Sequence, residues 1–402
     1  MRPLDGRRVL LGVTGGIAAY KSATLARELT LAGAEVDVVL TRSAREFVGA
    51  ITFEALTGRP VHDQLVAAGH ALDHIRLPRA AQVMVVAPAT ADFLARAAMG
   101  RADDLLTASL LAAGDVPVLV VPSMNDRMWA HPQVQANVAR LRQIGYHVLE
   151  PDVGPLASRE EGSGPGRMPE PATIRAHIAR LLEAPSSLRG KHIVVTAGPT
   201  REALDPVRYL SNYSTGKMGV ALAEAAWRRG AEVTLVAGPL DVEFPAGARV
   251  VSVESAQQMS DAVRSALAGA DALIMAAAPA DFRADQAAAQ KIKKGSTAPS
   301  MAFAFTPDIL RSTRDARRPG CIVVGFALET EALEANARAK LASKDLDLIV
   351  ANTAGEGAGF GYDTNRVTLI ARDGSAVELP LQSKIDVADA VLDHVTGLFD
   401  GR

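Results

Sequence analysis

The sequence predicts an α/β protein built from two doubly wound, largely parallel sheets, and three observations carry that expectation. Short apolar runs of strand length alternate with helical patterns along the chain, the order expected when helices cover both faces of a parallel sheet. The strand–turn–helix–strand grammar of the first forty residues starts again near Lys191. Between the two copies lies a Gly-, Pro- and charge-rich stretch, Glu150 to Pro171, then a helical pattern from Ala172 to Glu183 and a connector from Ala184 to Gly190. These features place a boundary near 185–190 and two Rossmann-like domains at 1–187 and 188–402.

In the first copy, Val9 to Val13 reads as a strand, Thr14-Gly15-Gly16 as a tight turn, the segment through Leu31 as a helix, and Val36 to Leu40 as the second strand. In the second copy the same roles fall to His192–Thr196, Ala197-Gly198-Pro199-Thr200, Met218–Arg229 and the run ending at Ala237. Further strands are expected at Val83–Ala87, Val116–Val121, Ala272–Ala276, Ile322–Phe326 and Leu346–Ala351. Ligands of such sheets sit beyond the carboxyl ends of the strands, so the residues after each run are the ones to interrogate.

Composition narrows the function classes. A length of 402 residues with 48% hydrophobic and 22% charged residues is enough for two large cores and unlike a disordered chain. A net charge of −2 with interspersed signs provides no general attraction for nucleic acid or an anionic membrane, so an anionic ligand has to be held locally. The single cysteine, Cys321, lies in an apolar strand-like run, which excludes an intrachain disulfide and fits a buried thiol in a reducing cytoplasm. No apolar stretch approaches the roughly 18–20 residues of a membrane span. A cytoplasmic protein without nucleic-acid or membrane partners is the expectation.

The first strand end, Gly12 to Lys21, puts small residues and a hydroxyl before a helix, where backbone N–H groups can hold a phosphate. The turn is equally readable as a packing device, and it lacks the GxGxxG spacing of a dinucleotide site, so a mononucleotide suits it better. Leu40 is followed by Thr41-Arg42 rather than an acidic residue, which also speaks against a nicotinamide dehydrogenase. Ser43, the loop Pro88-Ala89-Thr90 and the segment Pro122 to Trp129 occupy later strand ends, and His74 precedes a strand.

Taken together, the Pro-Ala-Thr-Ala loop, the histidine and the Pro-Ser-Met-Asn-Asp-Arg-Met-Trp segment resemble the homo-oligomeric flavin-containing cysteine decarboxylases. The resemblance implies flavin mononucleotide (FMN) near Gly15, Gly16, Ile17, Ser43, Pro88, Ala89 and Thr90. It also implies catalytic His74 and Asn125, with Asn125 and Met128 on the substrate. The flavin would oxidise the thiol-bearing carbon so that the carboxylate can leave. Family members that complete the reduction carry a cysteine in a Gly-rich flap; the flap here is Gly154 to Met168, slightly longer, with Ser158 in the cysteine's place. Ser158, Glu160, Glu161 or water then remain as proton sources, and an FMN-binding or assembly module without complete decarboxylation remains a rival reading of this half.

In the second half, Asp205-Pro206-Val207-Arg208-Tyr209-Leu210-Ser211-Asn212-Tyr213-Ser214-Thr215-Gly216-Lys217-Met218-Gly219 sets hydroxyls, N–H groups and a lysine before a helix, a combined phosphate cradle. Ala276 to Phe282, Lys291-Ile292-Lys293-Lys294, Thr306 to Leu310 and Gly325 to Leu328 follow other strand ends, and Lys340 and Lys344 lie at i and i+4. Lysines so placed commonly belong to a solvated face; their recurrence around strand ends favours a triphosphate.

This half resembles the phosphopantothenate–cysteine ligase domain, and the order of the halves resembles the fused bacterial enzyme of coenzyme A biosynthesis. The resemblance implies CTP-dependent ligation of 4′-phosphopantothenate to cysteine through an acyl-cytidylate, with Mg²⁺ whose ligands the sequence does not name. Asn212 and Lys291 would be catalytic, and Arg208 and Asn212 would hold substrate. Asp281, Pro307, Asp308, Ile309, Leu310, Phe326, Lys340 and Lys344 would hold the nucleotide. The family also implies a homo-oligomer, with a trimer-based decarboxylase and dimeric ligase domains.

Overall fold

The computed structural model describes residues 3–66, 68–158, 160–183, 187–294, 300–329, 332–353 and 359–401. The chain divides into two compact units, Met1–Ala184 and Pro185–Arg402. The expected connector straddles that division, and its residues 184–186 lie outside the described residues.

In the first unit, β1 (Arg8–Val13), α1 (Ala19–Leu31), β2 (Glu35–Leu40), α2 (Ala50–Thr57), β3 (Val61–His62), α3 (Asp73–Ala80) and β4 (Val83–Ala89) come first. They are followed by α4 (Ala91–Ala98), α5 (Leu105–Leu111), β5 (Val118–Pro122), α6 (Asp126–Trp129), α7 (Pro132–Gln143) and β6 (His147–Val148). A hairpin, β7 (Asp152–Pro155) with β8 (Ser163–Arg167), precedes α8 (Pro171–Leu182). The sheet order is β3-β2-β1-β4-β5-β6, parallel throughout.

Alternation along β1 explains why it lacks polar side chains from Val9 to Val13. Val9, Leu11 and Val13 pack with Leu25 and Leu29 of α1, Phe53 of α2 and Ile174 and Ile178 of α8. Leu10 faces the opposite cluster, with Phe93 and Leu94 of α4, Leu105 and Leu106 of α5, and Val138 and Leu141 of α7. Burial on both faces erases the polar alternation of a one-sided sheet.

The second unit begins with β9 (His192–Ala197), the ribbon β10 (Arg201–Ala203) and β11 (Tyr209–Ser211), α9 (Lys217–Arg228), β12 (Glu232–Ala237) and β13 (Arg249–Ser252). Next come α10 (Ala256–Ala266), β14 (Ala272–Met275), the ribbon β15 (Phe282–Ala284) and β16 (Phe303–Phe305), α11 (Ile309–Ser312) and β17 (Ile322–Glu329). The unit ends with α12 (Leu333–Ser343), β18 (Leu348–Thr353), β19 (Thr364–Ala371), β20 (Ala376–Ser383) and α13 (Lys384–Asp400). Its sheet runs β13-β12-β9-β14-β17-β18-β19-β20.

Here the structure departs from a purely parallel expectation, because β18–β19 and β19–β20 pair antiparallel. The turn Arg372-Asp373-Gly374-Ser375, with Gly374 at φ +91, is short enough only for a hairpin, whereas a parallel return needs a crossover. The expected pair Lys340 and Lys344 also changes: α12 stops at Ser343, so Lys344 is its C-terminal cap.

Close approach of α9 to β9 requires Gly219, since a Cβ there would stand 2.5 Å from the Ala197 Cβ and 2.7 Å from the Thr196 carbonyl oxygen. Gly219→Ala should therefore push the helix off its strand at a cost of about 1–3 kcal/mol. Scanning calorimetry of the full chain should show one unfolding transition moving down while any transition of the first unit stays in place; an unchanged thermogram would remove this contact from the packing account.

Candidate functional site

Each unit reverses its strand order between two neighbouring strands, β1/β4 in the first and β9/β14 in the second, and this is where a crevice opens. In the first unit the Thr14 hydroxyl donates to the Pro88 carbonyl at 2.8 Å and accepts from Thr90 N–H at 3.1 Å. Ser22 of α1 donates to the Ala87 carbonyl at 2.6 Å, and the Ala87–Pro88 peptide is cis. These bonds tie the turn after β1 to the loop after β4.

A 480 Å³ cavity lies at that junction, walled by Gly16, Ile17, Pro88, Thr90, Asn125 and Met128 among others. Gly15, Ser43 and Ala89 are not on that wall. A Cβ on Gly15 would meet the Ser43 Cβ at 2.3 Å, so Gly15 is needed for the two turns to touch, and Ala89 is buried in β4. No side chain caps the N-terminus of α1. Ala19 N–H donates to the Gly16 carbonyl at 2.9 Å and Lys21 N–H to the Ala18 carbonyl at 3.0 Å, so it is the positive end of the helix dipole, rather than a row of free donors, that fits an anionic group here.

The β7–β8 hairpin crosses the other side of this cavity. Met124 N–H donates to the Gly166 carbonyl at 2.9 Å, and a Cβ on Gly166 (φ +154) would lie 2.2 Å from the Met124 oxygen. Lys21 anchors the hairpin exit by donating to the Met168 carbonyl at 3.0 Å and to Glu170 at 2.9 Å, which holds the Glu170 carboxyl below its ordinary pKa.

Ala157 and Glu161 reach the wall of the cavity, whereas Ser158 does not. The Ser158 hydroxyl accepts from Glu161 N–H at 3.3 Å, and Asn125 Nδ2 approaches Glu161 Oε2 at 3.4 Å while Asn125 Oδ1 caps α6 through Arg127 N–H. Arg159 of the same flap lies outside the described residues.

His74 sits in the first turn of α3 and is absent from the cavity wall within one chain. Its buried Nδ1 has no hydrogen-bond partner among the described residues. The structure thus gathers Gly16, Ile17, Pro88, Thr90, Asn125 and Met128 and leaves His74 and Ser158 out.

The second unit uses the same device at its crevice. Thr196 Oγ1 accepts from Ala277 N–H and Thr200 Oγ1 from Ala280 N–H, both at 3.0 Å, while Ala278 N–H donates to the Gly198 carbonyl at 2.9 Å. Gly216, at φ +81, starts α9 without a side-chain cap. A 340 Å³ cavity lies against this helix start, walled by Asn212, Ser214, Thr215, Lys217, Lys340 and Lys384 with Asp281, Phe326 and Asn352. Asn212 is pinned by both amide hydrogens, donating to the carbonyls of Ala278 at 2.8 Å and Pro279 at 3.1 Å.

Lys384 was not singled out by sequence, because a lysine opening a C-terminal helix carries no motif. The antiparallel return of β19 and β20 delivers it to the crevice, 7% exposed, donating to the Gly359 carbonyl at 3.1 Å. Burial, then the neighbouring Lys217, pushes its ammonium pKa down. Asn352 was also missed; its buried Oδ1 accepts no hydrogen bond among the described residues.

The expected nucleotide residues split between two cavities. Pro307, Asp308, Ile309, Leu310 and Lys344 line an adjoining 490 Å³ cavity that shares Asp281 and Phe326 with the first, and Lys344 pairs with Asp308 at 3.5 Å. Arg208 is elsewhere: it lines a third cavity, and its guanidinium bonds Asp205 and the Ile292 carbonyl. The Arg208 hydrogen bond holds the Asp205 carboxyl far below the ordinary range. Lys291, exposed beside Ile292, is on none of these walls.

No helix among the described residues is long and apolar enough to cross a membrane. Residues 1–183 match the family described as flavoprotein, and residues 188–398 match the DNA/pantothenate metabolism flavoprotein C-terminal domain. The coenzyme A biosynthesis bifunctional protein CoaBC of Mycobacterium tuberculosis (strain ATCC 25618 / H37Rv) is 47% identical over 410 residues, covering 98% of this chain and 97% of the relative. CoaBC of Bacillus subtilis (strain 168) is 45% identical over 403 residues, covering 98% of each. A crystal structure of the C-terminal domain of a CoaBC protein shares 36% identity, covering 54% of this chain and 100% of that one with a TM-score of 0.47. Both halves are matched in order across nearly the whole of each curated relative, and the chain belongs to the family of bifunctional coenzyme A biosynthesis proteins.

Proposed function

We propose that the crevice of the second unit performs the CTP-dependent phosphopantothenate–cysteine ligase reaction of this family, and that the crevice of the first, loaded with FMN, performs the phosphopantothenoylcysteine decarboxylase reaction. The observation that carries the ligase reading is the convergence of Lys217, Lys340 and Lys384 with the uncapped start of α9 on one cavity. Three cations and a row of N–H donors suit a triphosphate accompanied by Mg²⁺ and would offset charge as a carboxylate attacks the α-phosphorus.

Asp281 and Phe326, shared by the two adjoining cavities, would meet the ribose and base of CTP, with Pro307, Asp308, the start of α11 and Lys344 beyond them. Asn212 is held at the mouth of the β14 loop. There it can exchange a carbonyl partner for the acyl oxygen that gains charge when the amine of cysteine attacks. Lys291 would join from its exposed loop. Arg208, held by Asp205 outside this cavity, would meet 4′-phosphopantothenate only where a second copy of the ligase unit completes the site, as the resemblance to dimeric ligases implies.

In the first unit, Gly16, Ile17, Pro88, Thr90 and the α1 N-terminus fit FMN. Held there, FMN would supply two-electron oxidation of the thiol-bearing carbon and the matching reduction once carbon dioxide has left. Asn125, on the cavity wall, would bind the departing carboxylate. Glu161, on the cavity wall beside Asn125, is better placed than Ser158 to give a proton to the carbon left behind. His74, outside the wall in one chain, would act on a neighbouring copy's cavity in a trimer-based assembly.

Separate chemistry predicts separable losses. Asn212→Asp should lower amide formation by about 10²–10³-fold and spare decarboxylation of supplied phosphopantothenoylcysteine. His74→Asn should do the reverse, by about 10²–10⁴-fold. Equal loss of both activities in either variant would refute the two-site assignment.

Lys384→Met should raise the KM for CTP by roughly tenfold or more, the scale of one charge-assisted bond to phosphate, with decarboxylation unchanged. An unaltered KM would take Lys384 out of the nucleotide site.

Product analysis by mass spectrometry separates the flap residues. Glu161→Gln should accumulate the oxidised enethiol, whereas Ser158→Ala should still yield 4′-phosphopantetheine; the opposite pattern would return the proton to Ser158.

A further inference from the structure

A second chemistry-bearing cluster lies in the first unit, away from the cavity wall. His62 ends the edge strand β3, Asp73 opens α3, and His70 precedes it by three residues. The Nδ1 atoms of both imidazoles converge on one oxygen, Asp73 Oδ2, at 3.0 Å from His62 and 2.8 Å from His70. The three donor atoms all lie within 4.8 Å of one another, and the rings stand edge to face with centroids 6.1 Å apart. Asp73 is 7% exposed and the His62 side chain 13%, whereas the His70 side chain is 56% exposed. The cluster is therefore anchored at its base and open on one side.

We propose that His62, His70 and Asp73 form a binding site for one first-row divalent transition-metal ion, of which Zn²⁺ is the test case. Two imidazoles and one carboxylate are the donor set that such borderline ions prefer. An ion at a metal–ligand distance of roughly 2.1 Å needs neighbouring donors roughly 3.0–3.4 Å apart, and the two measured nitrogen–oxygen separations lie at or just below the short end of that range. Small rotations of the exposed His70 ring suffice to admit it.

In the metal-free state each ring turns its Nδ1 to Asp73, whose carboxyl burial pushes up but whose hydrogen bonds with His70 and His62 hold it below its ordinary pKa. On metal entry the proton of each ring passes through solvent to Nε2, and the Nδ1 lone pair turns to the ion. The open side leaves room for water as a further ligand.

Such an ion would tie β3 directly to the start of α3 across the segment 63–72, and would so fix the helix turn that carries His74. Its donor set is distinct from that of the Mg²⁺ expected with CTP, since Mg²⁺ favours oxygen ligands.

The test is isothermal titration of Zn²⁺ into tag-free, chelator-treated full-length protein without nucleotide and with excess Mg²⁺, alongside hydrogen exchange of the 63–72 amides. One Zn²⁺ per chain is expected, with exchange of that segment slowed. His70→Ala and His62→Ala should each weaken binding at least about tenfold and abolish the zinc-dependent protection. Metal-free His70→Ala should keep the circular dichroism spectrum of the metal-free wild type, because the His70 ring is exposed and His62 still bonds Asp73, which separates loss of a ligand from loss of fold. No binding by the wild type, or wild-type binding retained in both histidine variants, would overturn the site.

Discussion

In each unit two parallel strand ends diverge, and a threonine hydroxyl reaches across the gap to bond the neighbouring loop: Thr14 to Pro88 and Thr90 in the first, Thr196 to Ala277 and Thr200 to Ala280 in the second. Backbone groups at a switch of strand order have no ladder partner, and leaving one buried and unpaired costs about 1–3 kcal/mol. The hydroxyls satisfy them without a bulky side chain. The crevice therefore stays open while its walls are fixed, and every feature of either site is referred to those two loops.

Small residues do the complementary work. Gly15 lets the first turn touch Ser43, Gly166 lets the flap hairpin lie on Met124, and Gly219 lets α9 start against β9. In each case the helix start or flap is brought within reach of the crevice by removing a Cβ rather than by adding an attractive contact. The N-termini of α1 and α9, both without side-chain caps, then turn the positive ends of their helix dipoles toward the two cavities, an arrangement that suits an anionic group in each.

The two sites differ in what closes them. Over the first cavity a hairpin brings Glu161 to Asn125, a carboxyl beside an amide. Around the second, an antiparallel extension of the sheet carries Asn365 and Lys384 to the wall, adding a buried cation beside Lys217. One arrangement favours handling a proton, the other favours holding negative charge.

The sequence alone determined the two-domain α/β class, the strand–turn–helix starts at Val9 and His192, and the loops bearing Asn125, Asn212 and Asp281, whereas Phe326, expected just past a strand end, lies within β17. Those features are local: apolar run length, turn residues and motif spacing are readable along the chain. Tertiary structure decided what the chain's order conceals. It put Ser158 off the cavity wall and Glu161 on it, divided Lys340 from Lys344 at the end of α12, drew Arg208 away to Asp205, and brought Lys384 into the crevice. Each depends on a crossing of segments far apart in sequence, a hairpin fold-back, a helix stop or a sheet reversal, and pairings of that kind are set by packing and hydrogen-bond satisfaction rather than by any local pattern.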